Sequence, residues 1–397
     1  MSWSRRLLHC RSFSLSPPPS SSFFPTSFPT SDFKRVFEKD LITFSEKCLV
    51  ASGAKQEHAN TVARVLVAAD MRAVYSHGIN RLKMYTDECK TGTVDTDASP
   101  LVESSRGLTA LVNGRNVLGA VCGEFSMNLA IDKAKEHGIG WVLANNSNHY
   151  GIAGHYAMMA LEHGFIGMSW TNTSPIVVPT RAKTPALGTN PIALAAPTDR
   201  QDPFVLDMAT SAVALGKVEV SNRKGEKLPL GWSVGRDGLP TDDAAAAVES
   251  SSTGEGGLMP LGGIEANSGY KGYGLSMLVE VLGGVLGNAN YGRKIRTWQS
   301  PLKNTEQQAD GANLGQAFIV IDPSVFGGDF PLRMDDFIEQ MHSLPPGEGQ
   351  PGVMVPGEPE LNAHKEQAEH GIRLHDSLID SLNLLSKEYG VDPIKCV

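Results

Sequence analysis

The chain has 397 residues, enough for two domains and a substantial core, and its 41% hydrophobic and 20% charged content is ordinary for a soluble globular protein. A net charge of −8 and a pI of about 5.8 come without a basic stripe, which argues against a nucleic-acid-binding surface. No run approaches the roughly 20 apolar residues that a membrane span requires, so no membrane partner is expected. The cysteines (Cys10, Cys48, Cys89, Cys122 and Cys396) are scattered and form no CxxC pair, so neither a disulfide framework nor a zinc knuckle is expected.

Residues 1–31 read as a transit-like, disordered segment. They hold Arg5, Arg6 and Arg11, many serines and prolines, and no acidic residue before Asp32. The expectation is a mitochondrial matrix protein, or a cytoplasmic one if the segment is only a disordered tail. From Ser31 the spacing of Phe33, Val36, Phe37, Leu41, Phe44 and Cys48 predicts a helix ending at Gly53, with Ser31 as its N-cap. A second helix is predicted from about Lys55 to Val74 and a third from near Asn80 to Gly92. A turn-rich stretch leads to a strand at Leu108–Val112, a helix at Gly119–Glu136, a strand at Ile139–Asn145 and a helix at Gly151–His163. Short apolar segments at 166–170, 192–196 and 204–208, punctuated by Pro, Gly and Asn, have the texture of a sheet. Gly231–Gly263 reads as a long loop, Tyr273–Leu286 as a helix, Ala317–Ile321 as a strand and Asp335–Ser343 as a short helix. Two final helices start at Pro359, a favourable first helical residue, and near Asp376.

Chemistry-bearing residues collect where these elements meet. Ser76-His77-Gly78 with Arg81 puts a hydroxyl, an imidazole and a guanidinium within six residues. Arginine grips a carboxylate bidentately, and histidine moves a proton near neutral pH. Asn145–Gly151, a polar strand-to-helix turn, carries His149. Trp170–Pro175 and Leu187–Pro191 set hydroxyls and amides at strand ends, where they serve a ligand or simply turn geometry. Asp207 closes an apolar run, and Lys271 lies in a glycine-flanked loop opening a helix, where lysine adds charge beside a phosphate. There is no G-x-G-x-x-G, no P-loop and no G-x-S-x-G. No metal site is expected, since His149, His155 and His163 lack the i, i+4 spacing of a helical zinc pair.

Together these motifs resemble the malate/L-lactate dehydrogenase family of non-Rossmann, NAD(P)-dependent oxidoreductases. The resemblance is carried in order by Ser76-His77-Gly78 with Arg81, Asn148-His149-Tyr150-Gly151, Thr171–Pro175, Leu187–Pro191, Asp207–Ser211, Lys271–Leu275 and Pro356-Gly357-Glu358. It implies a mixed α/β, L-sulfolactate-dehydrogenase-like fold with a largely antiparallel central sheet. It implies residues 32–138 with 312–397 as a helical, substrate and dimerisation domain, and 139–311 as the NAD(P)-binding domain. The implied partners are a small 2-hydroxy or 2-oxo acid, NAD or NADP, and a second copy in a homodimer. The implied catalytic residues are His149, His77, Ser76, Arg81 and Asp207, with Arg81 as carboxylate clamp and His149 ahead of His77 as proton carrier. Thr173, Asp207, Met208, Ala209, Lys271, Pro356, Gly357 and Glu358 match cofactor contacts. Reduction of a cyclic imine carboxylate and a catalytically silent NAD(P)H-binding protein are the rival readings. The family's Trp-Gly-Gly after Val-Val-Pro is replaced by Thr180-Arg181-Ala182-Lys183, which puts carry-over of substrate choice in doubt.

Overall fold

The structure, a computed structural model, describes residues 33–296 and 311–397. The transit-like segment and the N-cap expected at Ser31 lie outside the described residues. Strand β1 (Phe33–Val36) leads into helices α1 (Glu38–Ala51), α2 (Gln56–Met71) and α3 (Leu82–Thr91). The chain then forms β2 (Leu101–Arg106), β3 (Thr109–Asn113), α4 (Gly119–His137), β4 (Ile139–Ser147) and α5 (Ala153–Met159). Strands β5 (Ile166–Thr171), β6 (Ile192–Ala196) and β7 (Phe204–Met208) follow, then α6 (Leu215–Lys224). After β8 (Ser233–Val234), β9 (Pro240–Thr241), α7 (Ala244–Thr253) and β10 (Gly257–Leu258) comes α8 (Gly269–Val279), extended by a π-helical turn over Glu280–Val285. The chain closes with β11 (Leu314–Ile321), α9 (Phe330–His342), α10 (Glu358–His370), β12 (Ile372–His375) and α11 (Asp376–Tyr389).

Among the described residues seven strands make the central sheet, in the order β2-β3-β4-β11-β5-β6-β7. Only β3 and β4 run parallel, joined by α4 as their crossover; the other pairings are antiparallel. The fold is therefore mixed α/β with a largely antiparallel sheet, as expected. Its middle strand, β11, comes from late in the chain and pairs with β4 and β5 at once. The sheet also draws β2 and β3 from before residue 139, so it spans both expected segments.

Alternation along the strands splits the core in two. Val142, Ala144, Phe318 and Val320 pack under α4 and α5, while Trp170 and Ala317 face Val279 of α8. A separate core gathers α1, α2, α3 and α11 around Leu41, Leu49, Leu66 and Leu82.

Two expected elements differ. The helix predicted from Ser31 begins only at Glu38, because Phe33–Val36 pair antiparallel with β12, Phe33 opposite His375. A tertiary pairing overrides a local spacing there. The loop predicted over Gly231–Gly263 contains the small β10-β8-β9 sheet and α7. Asp243 caps that helix through hydrogen bonds from Ala245 N (2.9 Å) and Ala246 N (3.0 Å), and four alanines supply the propensity.

Candidate active site

The link from α2 to α3 is two single tight turns, Tyr75–His77 and Ile79–Arg81. Arg81 Nε donates to the Ser76 carbonyl (2.8 Å) and closes the link. Ser76 Oγ meets His77 Nδ1 at 2.9 Å. The link starts from Ala73 at φ +58°, a left-handed conformation that costs a non-glycine residue energy and is met at functional sites. Arg81 is exposed, and no carboxylate pairs with it among the described residues.

The polar turn after β4 brings His149 to this link. The asparagines before it are clamps. Asn145 Nδ2 donates to Gly287 O (2.9 Å) and Asn148 Nδ2 to Val117 O (2.9 Å), while Ser147 Oγ donates to Gln316 Oε1 (2.9 Å). Their burial fixes the loop and leaves the histidine as its chemical group. The rings of His77 and His149 stack with centroids 5.6 Å apart and planes 17° from parallel. Tyr85 Oη from α3 meets His149 Nδ1 at 2.5 Å, and Gly151 N also points to Nδ1, at 3.4 Å.

Burial holds both imidazoles neutral near pH 7. It pushes His77 down to about 4, with Arg81 adding to the effect. It lowers His149 well below its usual value, helped by His77 and then Arg81. The unfolded chain takes up a proton on His77 near pH 6.5, and the folded chain resists it to about pH 4. Between those values the unfolded state binds more protons, so stability falls as pH falls. The melting temperature of the wild type relative to a His77→Gln variant should therefore decline progressively from pH 6.5 to pH 4. A difference that stays flat over that window contradicts the buried neutral imidazole.

Asp207, at the end of β7, accepts a hydrogen bond from Gly154 N (2.8 Å) at the start of α5. A Cβ on Gly154 would lie 2.6 Å from Asp207 Oδ2, so a side chain there would push the carboxylate off the Gly154 N–H. Asp207 is solvent-exposed yet crowded by protein atoms. The crowding pushes its carboxyl up to about 6, while the Gly154 N–H and then Arg72 oppose the shift. Arg72, half-buried just before the strained link, feels Asp207 and Glu360 in return.

The expected cofactor residues gather on one wall. Thr173 N donates to Asn190 Oδ1 (3.1 Å), Thr189 N to Thr173 Oγ1 (3.0 Å), and Thr210 N to Thr189 O (2.8 Å), beside Met208 and Ala209. Pro356 O accepts from Val205 N (3.2 Å), which lays Pro356-Gly357-Glu358 along β7. Gly357 has φ +99° and its Cβ position is closed by Val205. The Glu358 carboxylate is engaged by His342 Nε2 (2.6 Å) and Val355 N (3.0 Å). Lys271 is exposed in the first turn of α8, and that turn leans on Leu261, whose N donates to Thr210 O (2.9 Å). Lys271 thus flanks the wall without touching the histidines. Arg181, in the Thr180–Lys183 stretch that replaces the family's Trp-Gly-Gly, is paired with Glu265 at 2.6 Å.

Sequence reasoning missed Tyr85, Asp70, Arg72 and Glu280. Glu280 is buried on the π-helical turn and receives Asn190 Nδ2 (3.0 Å) and Asn172 Nδ2 (3.0 Å), so one carboxylate orients both asparagines behind Thr173. Burial raises its pKa against those donors. A lone acid in the apolar run Leu275–Leu286 was the available signal, as was Asp70 in the apolar face of α2. Tyr85 gave none beyond its apolar spacing. Among the described residues no group of His, Cys, Asp and Glu could hold a metal ion, and no helix is long and apolar enough to cross a membrane.

A sequence model of the malate/L-lactate dehydrogenase family matches residues 36–383. The chain is 41% identical over 372 residues to malate dehydrogenase of Pyrococcus horikoshii, covering 93% of this chain and 99% of that one. It is 34% identical over 340 residues to a Δ1-pyrroline-2-carboxylate reductase of Ancylobacter novellus, covering 85% and 93%. The solved malate dehydrogenase of Entamoeba histolytica superposes with a TM-score of 0.84 at 32% identity, covering 91% of this chain and 99% of that one. The expected mitochondrial matrix address and transit peptide are overturned: the relatives matched in sequence are archaeal and bacterial enzymes, and nothing in them supports that address. With the match running from β1 into α11, the chain belongs to the malate/L-lactate dehydrogenase family.

Proposed function

We propose that His149 carries the proton, and Arg81 the substrate carboxylate, in a reversible hydride transfer on a small 2-hydroxy acid. The enzyme is an NAD(P)-dependent dehydrogenase acting on the CH–OH group of such acids. The observation that carries the reading is the stacked pair of neutral imidazoles, with His77 on the link closed by Arg81 and His149 on the turn after β4. Bound nicotinamide would supply or accept the hydride at the substrate's C2. In the oxidative direction the hydroxyl proton passes to Nε2 of neutral His149, in the tautomer whose Nδ1–H faces Tyr85 Oη. In reduction the same imidazole returns the proton to the oxygen. Tyr85 holds Nδ1 and orients the ring. His77 and Ser76 back the ring with a polar stack, and a charge on His77 disfavours one on His149.

The cofactor wall has the donor set for a dinucleotide. Lys271 presents an ammonium in the first turn of α8, and a Cβ at Gly274, one turn on, would meet nothing within 4 Å, which leaves room beside it. Thr173 and the Asp207–Ala209 backbone are the contacts proposed for the nicotinamide half, and Pro356-Gly357-Glu358 those along β7. The homodimer is supported by the apolar outer face of α8 and its π-helical extension, where Leu278, Val281 and Val285 are 43%, 48% and 50% exposed. Sedimentation equilibrium at twice the chain mass supports that assembly; a monomer mass at micromolar concentration removes it.

The test is a rate screen of malate, lactate, sulfolactate and ureidoglycolate, and of their oxo forms, with NAD and with NADP. One or more acids should turn over with a clear cofactor preference. If no hydroxy or oxo acid reacts while a cyclic imine carboxylate oxidises NADPH, the imine reading replaces this one; the kinship with the pyrroline carboxylate reductase keeps it in the screen.

A further inference from the structure

Asp70 lies in the last turn of α2 and is 1% exposed. It is no part of the proton path described above. Its Oδ2 accepts the Ile79 N–H at 2.7 Å. Its Oδ1 has no hydrogen-bond partner among the described residues. A Cβ on Gly78 would stand 1.8 Å from that oxygen, so the Gly78 backbone rests directly on the carboxyl. The carboxyl therefore supports the middle of the Tyr75–Arg81 link from below.

The support is itself anchored. The Asp70 carbonyl accepts Ala73 N (2.9 Å) and Gln367 Nε2 (2.9 Å), and Gln367 is buried on α10. Ala73, three residues on, holds the strained φ of +58°. A buried carboxyl with one oxygen unpartnered is a costly choice for mere packing. Glycine at 78 is a further concession to the same contact, and the strained Ala73 opens the link from the Asp70 carbonyl. They make sense together if the height of the link above α2 is what sets the His77 ring against His149.

We propose that Asp70 is a positioning residue of the active site, which acts through the Gly78–Ile79 backbone to hold His77 stacked on His149 and Arg81 over Ser76. This rests on the reading of those residues as the proton and carboxylate groups. It differs from a simple packing role in what it moves: proton transfer and the environment of His77, with the cofactor wall left alone.

The experiment compares the wild type with Asp70→Ala, Asp70→Asn and Gly78→Ala in the full chain. Kinetics use whichever acid and cofactor the wild type turns over. Asp70→Ala should lower kcat about tenfold or more with KM for the dinucleotide within about twofold, since a misplaced acid–base group costs rate rather than cofactor affinity. Asp70→Asn keeps an acceptor for Ile79 N–H and should restore most of that loss. Gly78→Ala should reproduce the loss, because its methyl displaces the link from the same carboxyl. The second readout needs no substrate: the His77 ring proton followed by NMR should titrate closer to ordinary histidine in Asp70→Ala and Gly78→Ala, and as in the wild type in Asp70→Asn. Wild-type kcat and an unmoved His77 titration in folded Asp70→Ala overturn the proposal; if that variant does not fold, the same pair of results in Gly78→Ala does so. A wild type inactive on every acid with the NMR shifts present faults the functional reading and leaves the positioning role standing.

Discussion

Replacing His149 with alanine is expected to leave a folded protein whose kcat is about 10²- to 10⁴-fold lower, the usual contribution of a positioned acid–base group. The fold should survive because the turn is held by Asn145, Ser147 and Asn148, whose hydrogen bonds do not involve the imidazole. Initial rates in both directions, with thermal melts alongside, make the measurement. The matched His77→Ala variant separates the two rings: the larger kcat loss marks the proton carrier, and the smaller marks its stacking partner. If His149→Ala retains wild-type kcat and kcat/KM on the best substrate, the site is misassigned. Tyr85→Phe belongs in the same series, since it removes the 2.5 Å contact to Nδ1 and keeps the ring.

Replacing Arg81 with alanine should cost about 2 kcal/mol or more, roughly thirtyfold or more in kcat/KM, as expected for a charged partner removed from a substrate carboxylate. The guanidinium is exposed, and among the described residues only its Nε is committed, at Ser76 O. Arg81→Lys should recover part of the loss and not all, because an ammonium keeps the charge and lacks the planar fork. A second signature comes from charge alone. Arg81 depresses the pKa of both His77 and His149. Without it the protonated imidazoles are less disfavoured, their pKa values rise, and the acid limb of the rate profile moves to higher pH. Wild-type kcat/KM with an unshifted limb in Arg81→Ala would remove the arginine from the site.

The two experiments bear on different steps. The histidine variants report on proton movement and fall on kcat. The arginine variants report on how the acid is held and fall mainly on KM, with the shift of the acid limb tying the guanidinium to the histidine pair. Neither should disturb the Thr173–Thr189–Thr210 wall, so dinucleotide binding measured by fluorescence should stay near wild type in both. The wall depends instead on Glu280 and the two asparagines it orients.

Much of this was open to reading in the chain itself. Strands 166–170, 192–196 and 204–208 showed as short apolar runs because each is bounded by turn residues within a few positions, and the structure has them almost where expected. Ser76-His77 with Arg81, His149 and Asp207 stood out because polar groups at element junctions serve catalysis more readily than packing. What spacing could not supply was pairing at a distance. β1 looked helical until β12 paired with it, and β11 joins β4 to β5 from late in the chain. The same limit hid the partners of Asp70, Tyr85 and Glu280: an acid on an apolar helix face marks two of them in sequence, but not what they hold. They acquire a role only when folding sets a carboxyl under Gly78, a phenol on His149 and a buried acid between two asparagines. Local chemistry named the candidate groups; which ring stacks on which, and what holds them there, is decided by contacts between segments that no local pattern encodes.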